Sequence, residues 1–373
     1  MKQRIIRENG SYEELDKYFK DNEIKTLFLA CDGSMQFLKI REYFADIENR
    51  LGIKLVKFDN IQPNPLYEGV AEGVRLFNSN NCDMIIAVGG GSVMDTAKAI
   101  KLYANMDPSI NYLEQEIVPN DIKLMAVPTT AGTGSEATRY AAIYYKGVKQ
   151  SVTDYSCIPE TVIVDPSVLR TLPEYQKKAT MLDALCHCIE SYWSVNSNEE
   201  SYNYSREGIK HIINNFDGYV ANDDEANANM LHAANLGGKA INITQTTAGH
   251  AMCYKLTSLY GISHGHAAAL CVSKLWPYMI DHTDKCIDSR GEAYLKDIFS
   301  KIAEAMGCST PEGAIAFFDW ILKKLELNPP VPKEEDFDIL KTSVNPMRLK
   351  NFPVQLDENT IDDLYHQILA PWE

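Results

Sequence analysis

The chain has 373 residues, 45% hydrophobic and 23% charged, a balance that is typical of globular proteins and a length that suits two domains. Its formal net charge of −15 argues against a nucleic-acid or anionic-membrane partner, because either would require a basic surface. There is no apolar run of membrane-spanning length, no signal-peptide core in the charged N-terminus and no regular framework among the nine cysteines. These features predict a cytoplasmic protein with reduced thiols.

The first part of the chain predicts strands that alternate with helices. Helical patterns begin at Leu66 and Val93. Four short apolar runs have the length and composition of buried strands, namely "KTLFLA" (25–30), "DMIIAVGG" (83–90), "LMAVP" (124–128) and "TVIVD" (161–165). This alternation predicts an α/β domain with a mostly parallel sheet.

A proline-containing turn at 165–173 marks a change of rhythm. Beyond it the chain shows helical periodicity and few β-branched runs, as in "GAIAFFDWILKKLEL". We therefore predict an α/β domain over residues 1–166 and an all-helical domain over 167–373.

Two loops rich in small residues follow predicted strands. "AVGGGSVMDTAKAI" (87–100) opens a helix, and its first turn holds Ser92 and Asp95. Helix N-termini suit a pyrophosphate because they present free N–H groups and partial positive charge. The loop matches neither common nucleotide fingerprint, and tight packing alone is the alternative. A second loop, "VPTTAGTGSEATRY" (127–140), lies where ligands bind in parallel sheets, so a nucleotide crevice is favoured.

The helical half contains a candidate metal site. Asp183 and His187 are four residues apart, which places them on one face of a helix. An ordinary surface pair is the alternative for these two residues. His250 and His264 would complete a set of one carboxylate and three imidazoles, which accommodates Fe²⁺ or Zn²⁺. Gly265 would let the backbone pack closely beside the ion.

These motifs together resemble the iron-containing (group III) alcohol dehydrogenase family. The resemblance runs from about residue 25 to 355 and rests on "AVGGGSVMDTAKAI", "PTTAGTGSEAT", "DALCHCIESY" and the spacing of His250 and His264. It implies an N-terminal dinucleotide-binding domain, a C-terminal catalytic domain and metal ligation by Asp183, His187, His250 and His264. The cofactor contacts it implies are Asn64, Gly90, Gly91, Ser92, Asp95, Thr129, Thr130, Thr133 and Lys149.

Asp32 follows the first clear strand and bears on the choice of coenzyme. A carboxylate there would accept hydrogen bonds from the adenosine ribose and repel a 2′-phosphate. We therefore predict NAD, with NADP as the alternative coenzyme. An exposed turn aspartate is the other interpretation of this residue.

The family resemblance implies hydride transfer between nicotinamide and a substrate whose oxygen binds the ion, which stabilises its negative charge. Many family members have a further histidine four residues after the third ligand, where this chain has Tyr254. A phenol could donate a hydrogen bond or relay a proton, but it is a poorer base than imidazole. His266 is a candidate replacement, and a core or surface histidine is its alternative interpretation.

Other stretches resemble a narrower branch that reduces phosphonoacetaldehyde to 2-hydroxyethylphosphonate. They are "TRYAAIYYKGVKQS", "ESYWSVNSNEES", "HAMCYKLTSLYGISHGHAAAL" and "RLKNFPVQL". A phosphonate requires a nearby cation, and Arg139 and Lys255 are candidates because they adjoin motif residues. Surface ion pairing is the alternative for each.

Three other functions compete with this prediction. A general short-chain primary alcohol dehydrogenase would use the same residues. A dehydroquinate synthase-like lyase shares the architecture but requires a dense set of basic residues that the chain lacks. A non-catalytic protein would leave a costly buried Asp/His cluster unused. The family resemblance also implies a homo-oligomer, a dimer in the simplest case, acting on a small-molecule aldehyde or alcohol.

Overall fold

A computed structural model describes residues 3–8 and 10–372 of the chain. It contains two compact units. The first comprises the residues up to Leu172 together with Ala221–Leu231, and the second comprises Pro173–Val220 and the residues from His232 onward. The added segment joins the first unit through Arg170, whose guanidinium donates two hydrogen bonds to the Asp224 carboxylate. The predicted domain boundary at residue 166 assigned this segment to the helical domain.

The described residues of the first unit form eight strands. They are β1 (Arg4–Arg7), β2 (Thr26–Cys31), β3 (Lys54–Phe58), β4 (Met84–Gly89), β5 (Lys123–Pro128), β6 (Tyr140–Tyr145), β7 (Val148–Thr153) and β8 (Thr161–Val164). Six of them form one parallel sheet in the order β1-β8-β5-β4-β2-β3. The other two, β6 and β7, form an antiparallel hairpin. All six residues of β4 are buried, which explains its continuous apolar run.

Helices cover the sheet and build the second unit. In the first unit they are α1 (Glu13–Asp21), α2 (Ile40–Ala45), α3 (Ile47–Leu51), α4 (Tyr67–Ser79) and α5 (Gly91–Tyr103). The remainder belong to the second unit, except that α8 begins in the first: α6 (Glu174–Trp193), α7 (Glu199–Val220), α8 (Asp224–Thr244), α9 (Ala248–Tyr260), α10 (His264–Asp281), α11 (Glu292–Ala305), α12 (Pro311–Lys324), α13 (Glu334–Ser343), α14 (Pro346–Leu349) and α15 (Glu358–Ile368). Short 3₁₀ turns lie between several of these elements.

The predicted α/β fold followed by a helical region is confirmed. Helix α4 buries Val70, Gly73, Val74 and Phe77, the i, i+3, i+4, i+7 pattern of an amphipathic helix. By contrast, α6 buries most of its residues on all sides, as a central helix must. Within the described part of the chain, no helix is both long and apolar enough to cross a bilayer.

The strand order places a topological switch point beside β2. From β2 the chain first adds β3 on one side and then β4 on the other. The loops after β2 and β4 therefore flank a crevice at the carboxyl edge of the sheet, where open α/β folds bind ligands. Asp32 follows β2 and Gly90 follows β4.

Candidate functional site

Helix α6 carries the first two residues of the candidate metal centre. Asp183 and His187 lie one turn apart on it, with 2% and 5% of their surface exposed. An ordinary surface pair would be solvated, so this burial excludes that alternative interpretation. The burial of a carboxylate is costly unless a cation or hydrogen bonds compensate for it.

His250, near the start of α9, brings a third candidate ligand to the same point. Its Nε2 lies 3.4 Å from Asp183 Oδ1, and its ring stacks on that of His187 with centroids 4.5 Å apart. One ligand atom from each of the three residues lies within 4.8 Å of the others. Residues 67 positions apart in sequence therefore converge on one small volume.

Two atoms of this group point to a bound cation. Asp183 Oδ1 and His250 Nε2 are both buried, and neither makes a hydrogen bond to any residue within 3–8 or 10–372. Buried polar atoms without a hydrogen bond are rare in folded proteins. A carboxylate oxygen and an imidazole nitrogen 3.4 Å apart are ligand types that Fe²⁺ and Zn²⁺ accept, so the residues fit the predicted metal.

Glu190, which the sequence analysis missed, holds His250 in place. It is fully buried, and its Oε2 is hydrogen-bonded to His250 Nδ1. Its Oε1 accepts from the Thr247 N–H at 3.1 Å and the Thr247 hydroxyl at 2.5 Å. Glu190 therefore satisfies free donors at the start of α9 and leaves His250 Nε2 directed at Asp183. It lies seven residues after Asp183 on the same helix face, and this spacing could have identified Glu190 from the sequence.

The charges of this group are strongly coupled. Burial raises the pKa of Asp183, but the neighbouring imidazoles outweigh that effect and hold the pKa well below its usual range. Burial lowers the pKa of His250, but Glu190 and Asp183 outweigh it and raise that pKa to about 10. Two buried carboxylates thus create a negative potential that attracts a cation.

We expect Glu190→Gln to weaken metal binding by about 10- to 100-fold, because the amide cannot orient His250 as the carboxylate does. Metal affinity would be measured by competition with a chromogenic chelator. Glu174→Gln is the matched control, since Glu174 lies exposed in the first turn of the same helix. Equal affinities in the two variants would contradict this role for Glu190.

His264, the fourth predicted ligand, lies beside this group. It is the first residue of α10, and its ring centroid lies 5.3 Å from that of His250. Its Nδ1 is 3.5 Å from Cys253 Sγ. The compact group consists of the other three residues, so ligation by His264 stays a prediction.

Gly265 permits the close approach of α10 to α6. A Cβ atom at this position would lie 2.1 Å from the Ala179 carbonyl oxygen and 2.6 Å from Asp183 Cβ. Only glycine fits such a contact. The close packing that the sequence analysis expected here is therefore present.

Tyr254 lies next to the metal group. Its ring stacks on His264 with centroids 5.3 Å apart, and its hydroxyl accepts a hydrogen bond from Arg348. Burial raises the pKa of Tyr254 well above its ordinary value, and the Arg348 charge offsets this only in part. The phenol therefore stays protonated at neutral pH, which fits a hydrogen-bonding role better than that of a base.

His266 points elsewhere. It lies two residues after His264 on α10, about 200° around the helix axis. Its Nδ1 lies 3.0 Å from the hydroxyl of Tyr175, which also accepts the Ser263 N–H. Burial lowers the pKa of His266. These contacts fit the core-histidine interpretation, while its catalytic role stays a prediction.

The two predicted cofactor loops adjoin each other in the first unit. Gly89 of β4 is in register with Pro128 of β5, so the loops that follow meet at one sheet edge. A Cβ atom on Gly91 would lie 3.1 Å from Thr133 Cγ2, and one on Gly90 would lie 3.4 Å from Thr130 Cγ2. The glycines therefore leave the start of α5 open to a ligand.

Asp95 ties these loops together. Its carboxylate accepts from the Ser135 hydroxyl at 2.7 Å and the Ala142 N–H at 3.0 Å. Burial raises its pKa, and the charges of Lys98 and Lys149 oppose that rise.

Among the other predicted cofactor residues, Thr129 is buried and donates its N–H to the Gly89 carbonyl. Ser92 is half-buried in the first turn of α5.

The remaining predicted residues of this unit lie in loops and at the hairpin. Asp32 accepts hydrogen bonds from Ser34 and lines a cavity of about 420 Å³. Asn64 is exposed with a left-handed φ of 58°, a conformation that asparagine tolerates. Lys149 is exposed in β7. The Arg139 guanidinium packs over the rings of Tyr140 and Tyr155.

Two family models match this chain, one to each half. The family model described as "Iron-containing alcohol dehydrogenase" matches residues 2–166, and "Fe-containing alcohol dehydrogenase family, C-terminal" matches residues 177–369. Alcohol dehydrogenase 4 of Schizosaccharomyces pombe is 30% identical over 89% of this chain and 79% of its own. The phosphonoacetaldehyde reductase of Streptomyces viridochromogenes is 30% identical over 66% of each protein.

A solved structure shows the same fold. The sulfoacetaldehyde reductase of Bifidobacterium kashiwanohense, solved in complex with NAD+, superposes with a TM-score of 0.87 at 22% identity. The match covers 99% of this chain and 97% of that one.

Proposed function

The chain belongs to the iron-containing alcohol dehydrogenase family, and on that premise we propose that it reduces phosphonoacetaldehyde to 2-hydroxyethylphosphonate with NADH. The observation that carries the chemistry is the buried group of Asp183, His187 and His250, in which Asp183 Oδ1 and His250 Nε2 are buried without a hydrogen bond. The relationship to a phosphonoacetaldehyde reductase supports the substrate.

In the proposed reaction, residues of the second unit bind the metal and supply a hydroxyl beside it. Asp183, His187 and His250 would hold Fe²⁺, with Zn²⁺ as the alternative, and His264 would complete the set. A bound divalent cation supplies Lewis-acid stabilisation of negative charge on oxygen, and a bound nicotinamide supplies the hydride. Glu190 keeps the His250 lone pair directed at the site. Tyr254 offers a protonated hydroxyl beside His264.

The coenzyme assignment rests on the cavity at Asp32. A carboxylate at this position favours ribose hydroxyls over a 2′-phosphate, which supports NAD. Arg41 and Lys57 line the same cavity and could supply the positive charge that the 2′-phosphate of NADP requires. Lys57 is already paired with Asp59 at 2.6 Å, so NAD remains the better fit.

A general primary alcohol dehydrogenase is the second candidate, and the relationship to alcohol dehydrogenase 4 of Schizosaccharomyces pombe favours it. A cytoplasmic location and a homodimer belong to the same proposal. The nine cysteines, all free thiols, are consistent with a reducing compartment.

An aldehyde panel tests these assignments. Enzyme loaded with Fe²⁺ or Zn²⁺ would be assayed by absorbance with NADH and with NADPH, using phosphonoacetaldehyde, propanal and butanal. We expect kcat/KM to be highest with phosphonoacetaldehyde and NADH. A clear preference for propanal or butanal would instead establish the general alcohol dehydrogenase, and absence of turnover with any aldehyde would refute both.

A further inference from the structure

One cation in the second unit reaches the candidate metal group through an aromatic side chain. Arg348 lies in α14, and its Nη1 donates a hydrogen bond of 3.0 Å to the Tyr254 hydroxyl. Its guanidinium carbon also lies 4.9 Å from the centroid of the Tyr254 ring. Arg348 therefore makes both a hydrogen bond to the hydroxyl and a cation–π contact with the ring of Tyr254.

Tyr254 connects this guanidinium to the metal group. It follows His250 by one turn of α9, and its ring stacks on His264 at 30° with centroids 5.3 Å apart. The chain of contacts thus runs from Arg348 through Tyr254 to His264, whose ring lies 5.3 Å from that of His250. All of these residues belong to one compact unit.

Arg348 has no direct ion-pair partner among the described residues. A guanidinium has five N–H donors, and the phenol accepts from one nitrogen and carries no charge. Within residues 3–8 and 10–372, no carboxylate forms an ion pair with Arg348, whereas the exposed Arg50 and Arg170 and the half-buried Arg290 each have one. A half-buried cation that lies near a metal group and has no ion pair favours an anionic ligand.

We infer that Arg348 binds the anionic group of the substrate and so selects a phosphonate-bearing aldehyde over a neutral one. This inference rests on the proposed function. An arginine fork can donate two parallel hydrogen bonds to phosphonate oxygens, which a neutral aldehyde cannot accept. Tyr254 is the positioning residue, because its hydroxyl and ring fix the guanidinium. This assignment replaces Arg139 and Lys255 as the substrate cation.

The two earlier candidates have other surroundings. The Arg139 guanidinium packs over the rings of Tyr140 and Tyr155 and donates to the Tyr155 hydroxyl at 2.9 Å. Lys255 adjoins Tyr254 on α9, and consecutive residues of a helix project about 100° apart. Arg348 is the cation whose contacts lead to the metal group.

Arg348→Met tests the inference, with Lys350→Met as its matched control, since Lys350 is exposed two residues further along. We expect Arg348→Met to lower kcat/KM for phosphonoacetaldehyde by about 10- to 100-fold, the effect of losing a charged hydrogen bond. The value for propanal should stay within about threefold of the parent enzyme. Lys350→Met should leave both values unchanged.

Binding of 2-hydroxyethylphosphonate, measured by calorimetry, gives a readout that does not require turnover. We expect the parent protein and Lys350→Met to bind this product and Arg348→Met to bind it at least about tenfold more weakly. Equal binding by all three proteins would overturn the inference. An equal loss of turnover with both aldehydes in Arg348→Met would also overturn it, because the residue would then merely support His264.

These outcomes separate the inference from the proposed function. If the parent enzyme reduces phosphonoacetaldehyde and Arg348→Met does so equally well, the function stands and the inference fails. If the parent enzyme prefers propanal and binds no phosphonate, the proposed substrate and the inference both fail. If no aldehyde is reduced but product binding depends on Arg348, the proposed function fails and the inference is supported.

Discussion

Asp183→Asn is expected to lower kcat/KM by about three orders of magnitude and to leave the purified protein without its metal. Its carboxylate is the only anionic member of the compact group of three, and its Oδ1 lies 3.4 Å from His250 Nε2. The amide keeps the shape of the side chain but removes its charge. Loss of Lewis-acid stabilisation is worth several kcal/mol, and each 1.36 kcal/mol is tenfold in rate.

Metal content by elemental analysis and turnover with the best aldehyde would be measured together. Asp281→Asn serves as the control, because Asp281 is an exposed aspartate at the end of α10. It should retain the metal content and activity of the parent. Full metal content and unchanged turnover in Asp183→Asn would refute the proposed metal centre.

Gly265→Ala is expected to be the most damaging substitution of a residue that does not itself bind the ion. The added methyl would lie 2.1 Å from the Ala179 carbonyl, which belongs to the α6 backbone and cannot rotate away. Helices α10 and α6 must then separate, at a cost of about 1–3 kcal/mol in the free energy of unfolding. His264 and Asp183 would move apart, and a misplacement of about 1 Å can reduce turnover about 100-fold.

Gly69→Ala is the matched control for this substitution. Gly69 also lies in a helix, α4, but a Cβ atom there would meet only the Asn60 carbonyl at an ordinary 3.8 Å. We expect a slight gain in stability from alanine, because it has the higher helix propensity. Chemical denaturation and steady-state turnover would compare the two variants. Similar stabilities for both would contradict the tight-packing argument.

Local patterns accounted for most of the first unit's central structure. The buried strands β2, β4, β5 and β8 appear as continuous apolar runs, because both of their faces are covered. The strands at the two edges, β1 and β3, read "RIIR" and "KLVKF" and were missed, since charged residues interrupt them as edge strands require.

The hairpin of β6 and β7 was also missed, although its turn carried a signal. Lys146 and Gly147 both have positive φ, which is the geometry of a tight two-residue hairpin turn. The glycine stands between two runs rich in aromatic and β-branched residues, "YAAIYY" and "VKQSVT". A search for alternation around it would have predicted the pair.

The candidate site likewise has a part that local spacing predicts and a part that it does not. The spacing of Asp183 and His187 predicts a shared helix face because that relation is local. The contacts of Glu190 with Thr247 and His250 join positions 57 and 60 residues apart, and those of Arg348 with Tyr254 join positions 94 apart. Such pairings depend on how helices pack, which spacing alone does not specify.

The convergence of α6 and α9 on one point would make an ion bound there a stabilising ligand for the second unit. Because Asp183 and His250 meet only when these helices are packed, an unfolded chain offers no comparable site. On the proposed metal binding, the folded state would gain stability by mass action, about 1.4 kcal/mol for each tenfold rise in free metal above the dissociation constant. Metal supply would thus govern the fraction of the chain that is folded as well as its catalytic rate.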